Sequence, residues 1–230
     1  MAILNKKKSL YPLLFVHIPK CAGGSIKYHF HLSYINRNNF GHVPLRFYKH
    51  EFKNFNYDKY FKFTSLRNPW DRLVSLYHFR TKNSHKYDGN YWRHVKNKMN
   101  FKDWIQYLED RPEINSLYHE TYFDYLSYNN RKINVDFIIN FYNFKKDFKF
   151  LKFFKNENSI AQMKKLNKKH THSSEHKDFR KYYNSKTIDI VAKIHKKDIK
   201  LFKYDFDNYT YADYHKYRNY KKLEKALSFT

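Results

Sequence analysis

The chain has 230 residues, with 46 Lys and Arg against 21 Asp and Glu, for a formal net charge of +25. That length holds one α/β domain with a sizeable core and is short for two, and the 21 % aromatic content supplies the core despite a polar average. The charge suits any polyanionic partner, whether a phosphorylated nucleotide, an acidic glycan, a membrane surface or a nucleic acid, and does not choose among them. The chain is also crowded with Lys, Asn, Tyr, Phe and Ile, the signature of AT-rich coding, so codon bias accounts for part of the lysine excess. The single cysteine, Cys21, rules out an internal disulfide framework and suits a reducing compartment. Lys6, Lys7 and Lys8 precede only a short apolar run without a small-residue cleavage site, far below a membrane-spanning length. The expectation is a cytoplasmic protein with no signal peptide and no transmembrane anchor.

Residues 1–10 read as a mobile tail. Leu13, Leu14, Phe15, Val16 and Ile18 then form an apolar run of buried-strand length. The chain turns through Pro19, Lys20 and the small-residue patch Cys21-Ala22-Gly23-Gly24-Ser25, and a helix is expected over 24–34. A strand that feeds such a loop and then a helix N-terminus makes an anion site, because the loop amides point inward and the helix dipole adds partial positive charge. Two of the chain's four glycines are adjacent here. The loop is not a Walker A sequence, which ends in Gly-Lys-Ser/Thr. Here Lys20 precedes the glycines and Ser25 follows them.

Further along, 36–44 is a polar loop, and 60–66 alternates as a second strand. Arg67-Asn68-Pro69 follows as a turn with proline placed to open a helix, on which Trp70, Leu73, Val74 and Tyr77 share one face. Residues 82–100 read as a polar excursion on the substrate side, and 101–108 as a helix stopped by Arg111-Pro112. Residues 135–141 are the third strand, 145–154 a helix, 159–180 a loop rich in Lys, His and Ser, and 187–202 the last long helix, closed by Tyr204-Asp205-Phe206. Strands separated by helices predict a three-layer α/β sandwich with a central parallel sheet.

The run HIPKCAGGS resembles the 5′-phosphosulfate loop of the sulfotransferases, enzymes that use 3′-phosphoadenosine 5′-phosphosulfate (PAPS). More narrowly it resembles the branch that sulfates carbohydrates, with the heparan and chondroitin sulfotransferases and their bacterial and viral relatives. The resemblance implies the P-loop-like sulfotransferase fold and a 5′-phosphosulfate held by Lys20, Cys21, Ala22, Gly23, Gly24 and Ser25. FTSLRNPWDRLVSLY resembles the family's 3′-phosphate site, which implies that Arg67 and Ser75 are ligands. An Arg fork at a strand end suits a phosphate bidentately. Gly41-His42-Val43 resembles the segment that carries the catalytic base in heparan-type relatives, so His42 is the candidate. Histidine, with an ordinary pKa of about 6.5, suits the task of taking a proton from a hydroxyl. Lys20 would stabilise charge building on the departing oxygen.

HTHSSEH occupies the place of the loop that closes over the nucleotide, with Ser173 as its candidate ligand. VDFIINFYNFKKDFKFL resembles the family's internal strand and following helix, and YYNSKTIDIVAKIHKKDIKLFKYDF its C-terminal helix. The resemblance spans 11–207 and leaves 208–230 as a C-terminal extension. It departs from the family where Arg-Phe-Glu often stands, since this chain reads Asn140-Phe141-Tyr142. No metal is expected, because His170, His172 and His176 lack acid and cysteine partners. Cys21 sits where a thiol pKa can be lowered, although a small packed residue is the simpler reading.

These readings imply sulfuryl transfer from PAPS to a hydroxyl, on a carbohydrate or small-molecule acceptor, with no nucleic-acid partner. Two alternatives stand beside it. A P-loop-type nucleotide kinase needs a Gly-Lys-Ser/Thr loop and a magnesium carboxylate. A basic nucleic-acid-binding module without catalysis predicts aromatics and basics interleaved on one face.

Overall fold

The computed structural model describes residues 2–3, 13–30, 33–34, 42–47, 56–83, 89–111, 120–127, 132–151, 176–208 and 212–227. Its elements run β1 (Ala2–Ile3), β2 (Leu13–Val16), α1 (Gly23–Phe30), β3 (Ser33–Tyr34), β4 (Phe61–Leu66), α2 (Pro69–Lys82), α3 (Gly89–Lys98) and α4 (Phe101–Asp110). They continue with α5 (Tyr122–Leu126), β5 (Phe137–Asn140), α6 (Phe144–Leu151), α7 (Ser185–Ile194), α8 (Lys196–Phe202) and α9 (Tyr220–Leu227). The chain divides into two compact units, the first made of Met1–Leu66, Tyr122–His172 and Tyr214–Thr230, the second of Arg67–Thr121 and Ser173–Asp213.

The first unit carries the sheet, in the order β3-β1-β2-β4-β5. Strands β2, β4 and β5 are parallel, and every residue in them is buried, as expected of strands covered on both faces. The register sets Phe15 opposite Phe63, with ring centroids 5.1 Å apart, and Phe63 opposite Phe137. Each such phenylalanine contributes about 1.5–3 kcal/mol of transfer free energy. The hydroxyl of Thr64, set inside this apolar strand, donates to the Val16 carbonyl at 2.8 Å.

The expected parallel sheet is mixed at one edge. Ala2–Ile3, inside the segment read as tail, pairs antiparallel with both β2 and β3. The stretch 4–12 is too short for the crossover that a parallel neighbour requires. Ser33–Tyr34, expected as the end of the first helix, is a strand, and α1 stops at Phe30. At the other edge, Lys62 is 2 % exposed, and its ammonium lies 3.7 Å from Asp136. Burial is the main cause that lowers its pKa, followed by the opposing pull of Asp136. Lys222 of α9 also reaches Asp136, at 2.9 Å, so part of the C-terminal extension is tied to the first unit. Asp147, on α6, accepts the Asn140 amide at 2.8 Å and the Arg218 guanidinium at 2.6 Å.

The second unit is helical. Asn68 caps α2 by accepting the Trp70 amide at 3.0 Å, and Pro69 takes the first helical position, as the sequence predicts. Residues 69–76 are buried all round rather than on one stripe. Tyr183 donates to the Trp70 carbonyl at 2.8 Å, and the Trp70 indole donates to the Ile188 carbonyl at 3.1 Å. The Phe206 ring of the closing Tyr-Asp-Phe stands edge-on to Trp70 and Tyr183. Two expectations are corrected here. Within 82–100, read as an excursion, 89–98 is helical, anchored by Val95 at 0 % exposure. The long helix read over 187–202 is two helices, α7 and α8, broken at His195, which is buried 3.4 Å from Asp198. Among the described residues no helix is long and apolar enough to cross a membrane.

Candidate functional site

The loop after β2 leaves the carboxyl end of a parallel strand, the place where open α/β sheets bind ligands. Lys20 (φ 64°) and Ala22 (φ 62°) are both left-handed, with Cys21 between them. L-residues avoid this region at a cost of about 1–2 kcal/mol each, and such strain persists where the surroundings fix it. Alternation of hand turns successive amide N–H groups toward one concave side, which is an anion cradle. Several contacts hold the loop in this shape. Ser65 on β4 donates its hydroxyl to the Cys21 carbonyl, and the Cys21 thiol, 0 % exposed, points to the Tyr122 hydroxyl at 4.0 Å. Ile26 donates to the Ala22 carbonyl at 3.2 Å, which starts α1 directly from the loop. Lys20 and Ser25 are half-buried, and Gly24 is exposed. Cys21 is therefore a packed residue whose carbonyl orients the turn.

Gly23 meets a different constraint. A Cβ there would fall 1.9 Å from Cδ2 of His17, so the imidazole occupies the space that any side chain would need. The His17 ring stacks on Phe15 at 5.6 Å and lies 4.1 Å from the ring of His42. Nδ1 of His42 is 3.2 Å from the His17 carbonyl. A carbonyl only accepts, so Nδ1 carries the proton, and Nε2 is the basic nitrogen of the neutral ring. His17 itself is held neutral. Burial lowers its pKa well below the ordinary value, and the neighbouring His42 lowers it further.

In the second unit Arg67 is 8 % exposed and grips Asp71 with both edges of its fork, Nε to Oδ2 and Nη2 to Oδ1, each at 2.7 Å. Nη2 also lies 3.5 Å from Nε2 of His176. Nδ1 of His176 donates to the Lys177 carbonyl at 2.8 Å, leaving Nε2 to face the guanidinium as an acceptor. His78 stacks on His176 at 5.7 Å, and burial and that neighbour lower its pKa. Ser75, two turns into α2, is 1 % exposed, because the whole first half of the helix is covered.

The structure thus joins His42 to the Lys20–Ser25 loop through His17, and gives Arg67 a carboxylate and a histidine as partners. Ser173, Gly41, His170 and His172 lie outside the described residues. Sequence reading missed His17, Asp71 and His176. Asp71 had a local signal, four residues after Arg67 on a helix. His17 had one in its place at the strand end. His176 had none, since it reaches Arg67 across 109 positions of chain. Among the described residues no three His, Cys, Asp or Glu side chains converge as a metal-ligand set. A family model described as the sulfotransferase family matches residues 7–205. No curated protein and no solved structure matches the chain.

Proposed function

The chain belongs to the sulfotransferase family, and we propose that it moves a sulfuryl group from PAPS to a hydroxyl of a carbohydrate acceptor. The observation that carries this reading is the pair of left-handed residues, Lys20 and Ala22, folded against Gly23 at the start of α1. A loop strained in this way fits a tetrahedral anion and has no purpose as a simple connection.

When bound, PAPS supplies an activated sulfuryl group: a bond forms from the acceptor oxygen to sulfur as the bond from sulfur to the bridging phosphate oxygen breaks, and that oxygen keeps the electron pair. The amides of 21–25 hold the 5′-phosphosulfate. The Lys20 ammonium stabilises the charge that grows on the bridging oxygen, an interaction stronger in the transition state than before it. Nε2 of His42 takes the proton of the acceptor hydroxyl, while its Nδ1–H goes on donating to the His17 carbonyl. Arg67 and Ser75, with Ser173, hold the 3′-phosphate, and Asp71 keeps the Arg67 fork in one orientation. On this reading 11–207 is the catalytic domain, 208–230 supports it, the protein works in the cytoplasm, and the net charge of +25 favours an acidic acceptor.

Calorimetry with adenosine 3′,5′-bisphosphate tests the donor. Binding is expected to need the 3′-phosphate and to weaken about 10- to 100-fold in Arg67→Ala, the loss of a charge-assisted pair. Adenosine 5′-monophosphate is the control. Equal binding of both nucleotides overturns the assignment, and tight binding of a short oligonucleotide in place of either points to a basic nucleic-acid module.

A further inference from the structure

We propose that His17 is a positioning residue that couples the shape of the phosphosulfate loop to the tautomer and placement of His42. The inference rests on the reading of His42 as base, and three contacts within the first unit carry it. The His17 carbonyl receives Nδ1–H of His42 at 3.2 Å, which commits Nε2 to proton acceptance. The His17 ring lies 4.1 Å from the His42 ring, tilted 56° to it. The other side of the His17 ring fills the space over Gly23, where even a methyl group would sit 1.9 Å from Cδ2. One imidazole therefore touches both the loop that cradles the anion and the group that takes the proton. A displacement of Gly23 by the ligand moves against His17, and His17 cannot move without moving His42. Phe15 stacks on the same ring at 5.6 Å.

The charge environment agrees with this division of labour. Among the described residues, His42 and Lys27 of α1 bear on His17, and both oppose a positive charge on it. Two imidazoles at this distance take up one proton far more readily than two. Desolvation and these neighbours keep His17 neutral.

The test is nitrogen-15 NMR of the histidine side chains in the full-length wild-type protein, in His17→Ala and in His17→Phe, together with pH profiles of kcat. In the wild type, neutral His42 should be the Nδ1–H tautomer, and the Nε2–H form overturns the proposal whether or not any variant folds. In His17→Ala, loss of the ring beside it should move His42 from the single Nδ1–H form toward a mixture of the two neutral tautomers. kcat should drop by about 10- to 100-fold, as expected for a misplaced base, while KM for the donor changes by less than about threefold. His17→Phe keeps the ring surface and the carbonyl and should return most of the loss. Unchanged His42 nitrogen-15 shifts in His17→Ala, or a Phe variant as weak as the Ala variant, overturns the proposal. His42→Ala separates the two ideas. Full activity there ends the base reading, while the NMR result on His17 and His42 stands or falls by itself.

Discussion

The two groups of candidate site residues are built on opposite principles. The Lys20–Ser25 loop is made of backbone. Its shape comes from two left-handed residues, a glycine pressed on His17, and a carbonyl held by Ser65. The Arg67 group is made of side chains, with a buried guanidinium held by both oxygens of Asp71 and met by His176. A backbone cradle offers donors that cannot swing away, and its cost is stored as conformational strain. A side-chain fork offers more charge, and its cost is desolvation that only a partner offsets. The loop should therefore answer to changes in volume and the Arg67 group to changes in charge.

The largest effect should come from the charged group. Arg67→Ala leaves Asp71 buried at 5 % exposure without its fork partner, and unfolding stability should fall by about 3–5 kcal/mol. Urea denaturation measures this. The double variant Arg67→Ala/Asp71→Ala should recover more than half of the loss, and a double variant no more stable than the single one breaks the comparison.

Next comes Lys20, whose proposed task is chemical. Lys20→Ala should lower kcat about 10²- to 10³-fold, the range for one group that stabilises developing charge. Affinity for adenosine 3′,5′-bisphosphate should change much less. Parallel loss of binding and rate would place Lys20 in ground-state binding instead.

A purely steric change ranks third. Gly23→Ala forces the added methyl into the His17 ring and should destabilise by about 1–3 kcal/mol. Combined with His17→Ala, which empties that space, the penalty should shrink. Additive losses in the double-mutant cycle would mean that the two residues do not share the space.

The smallest effect is a pH dependence common to both groups. His17 and His78 have pKa values lowered by burial, so between their folded values and about 6.5 the unfolded chain binds more protons than the folded one. Stability should be full above pH 6.5 and decline as pH falls from there toward the lowered values. Melting temperatures between pH 7.5 and 5 measure it, each titrating step being worth a few degrees or less. In the double variant His17→Phe/His78→Phe the slope over this interval should flatten. An unchanged slope would assign it to other groups.

Much of this was legible in the residues because it is local. β2, β4 and β5 announce themselves as short apolar runs, and Asn68-Pro69 as a helix start, since a capping side chain and a ring-locked φ act within a few residues. The loop was legible because its small residues follow a strand and precede a helix. α3 was hidden among lysines and asparagines: of its residues whose burial is described, Val95 alone is buried, and so sparse a pattern shows no helical period. The break at His195 was hidden for a related reason. The apolar period of 187–202 runs on across it, and only the buried pairing with Asp198 marks it.

By itself the sequence determined the α/β class and the family to which the chain belongs, and it named Lys20, Arg67 and His42 as candidates for the site. The class follows from the strand and helix periods along the chain, and the family and its candidates from the resemblance of a few short runs of consecutive residues. The tertiary structure decided the antiparallel edge at Ala2–Ile3, the low exposure of Ser75, the His176 contact to Arg67 and the placing of His17 beside both Gly23 and His42. These depend on which groups meet in space, and packing density settles such meetings only after the chain has closed on itself.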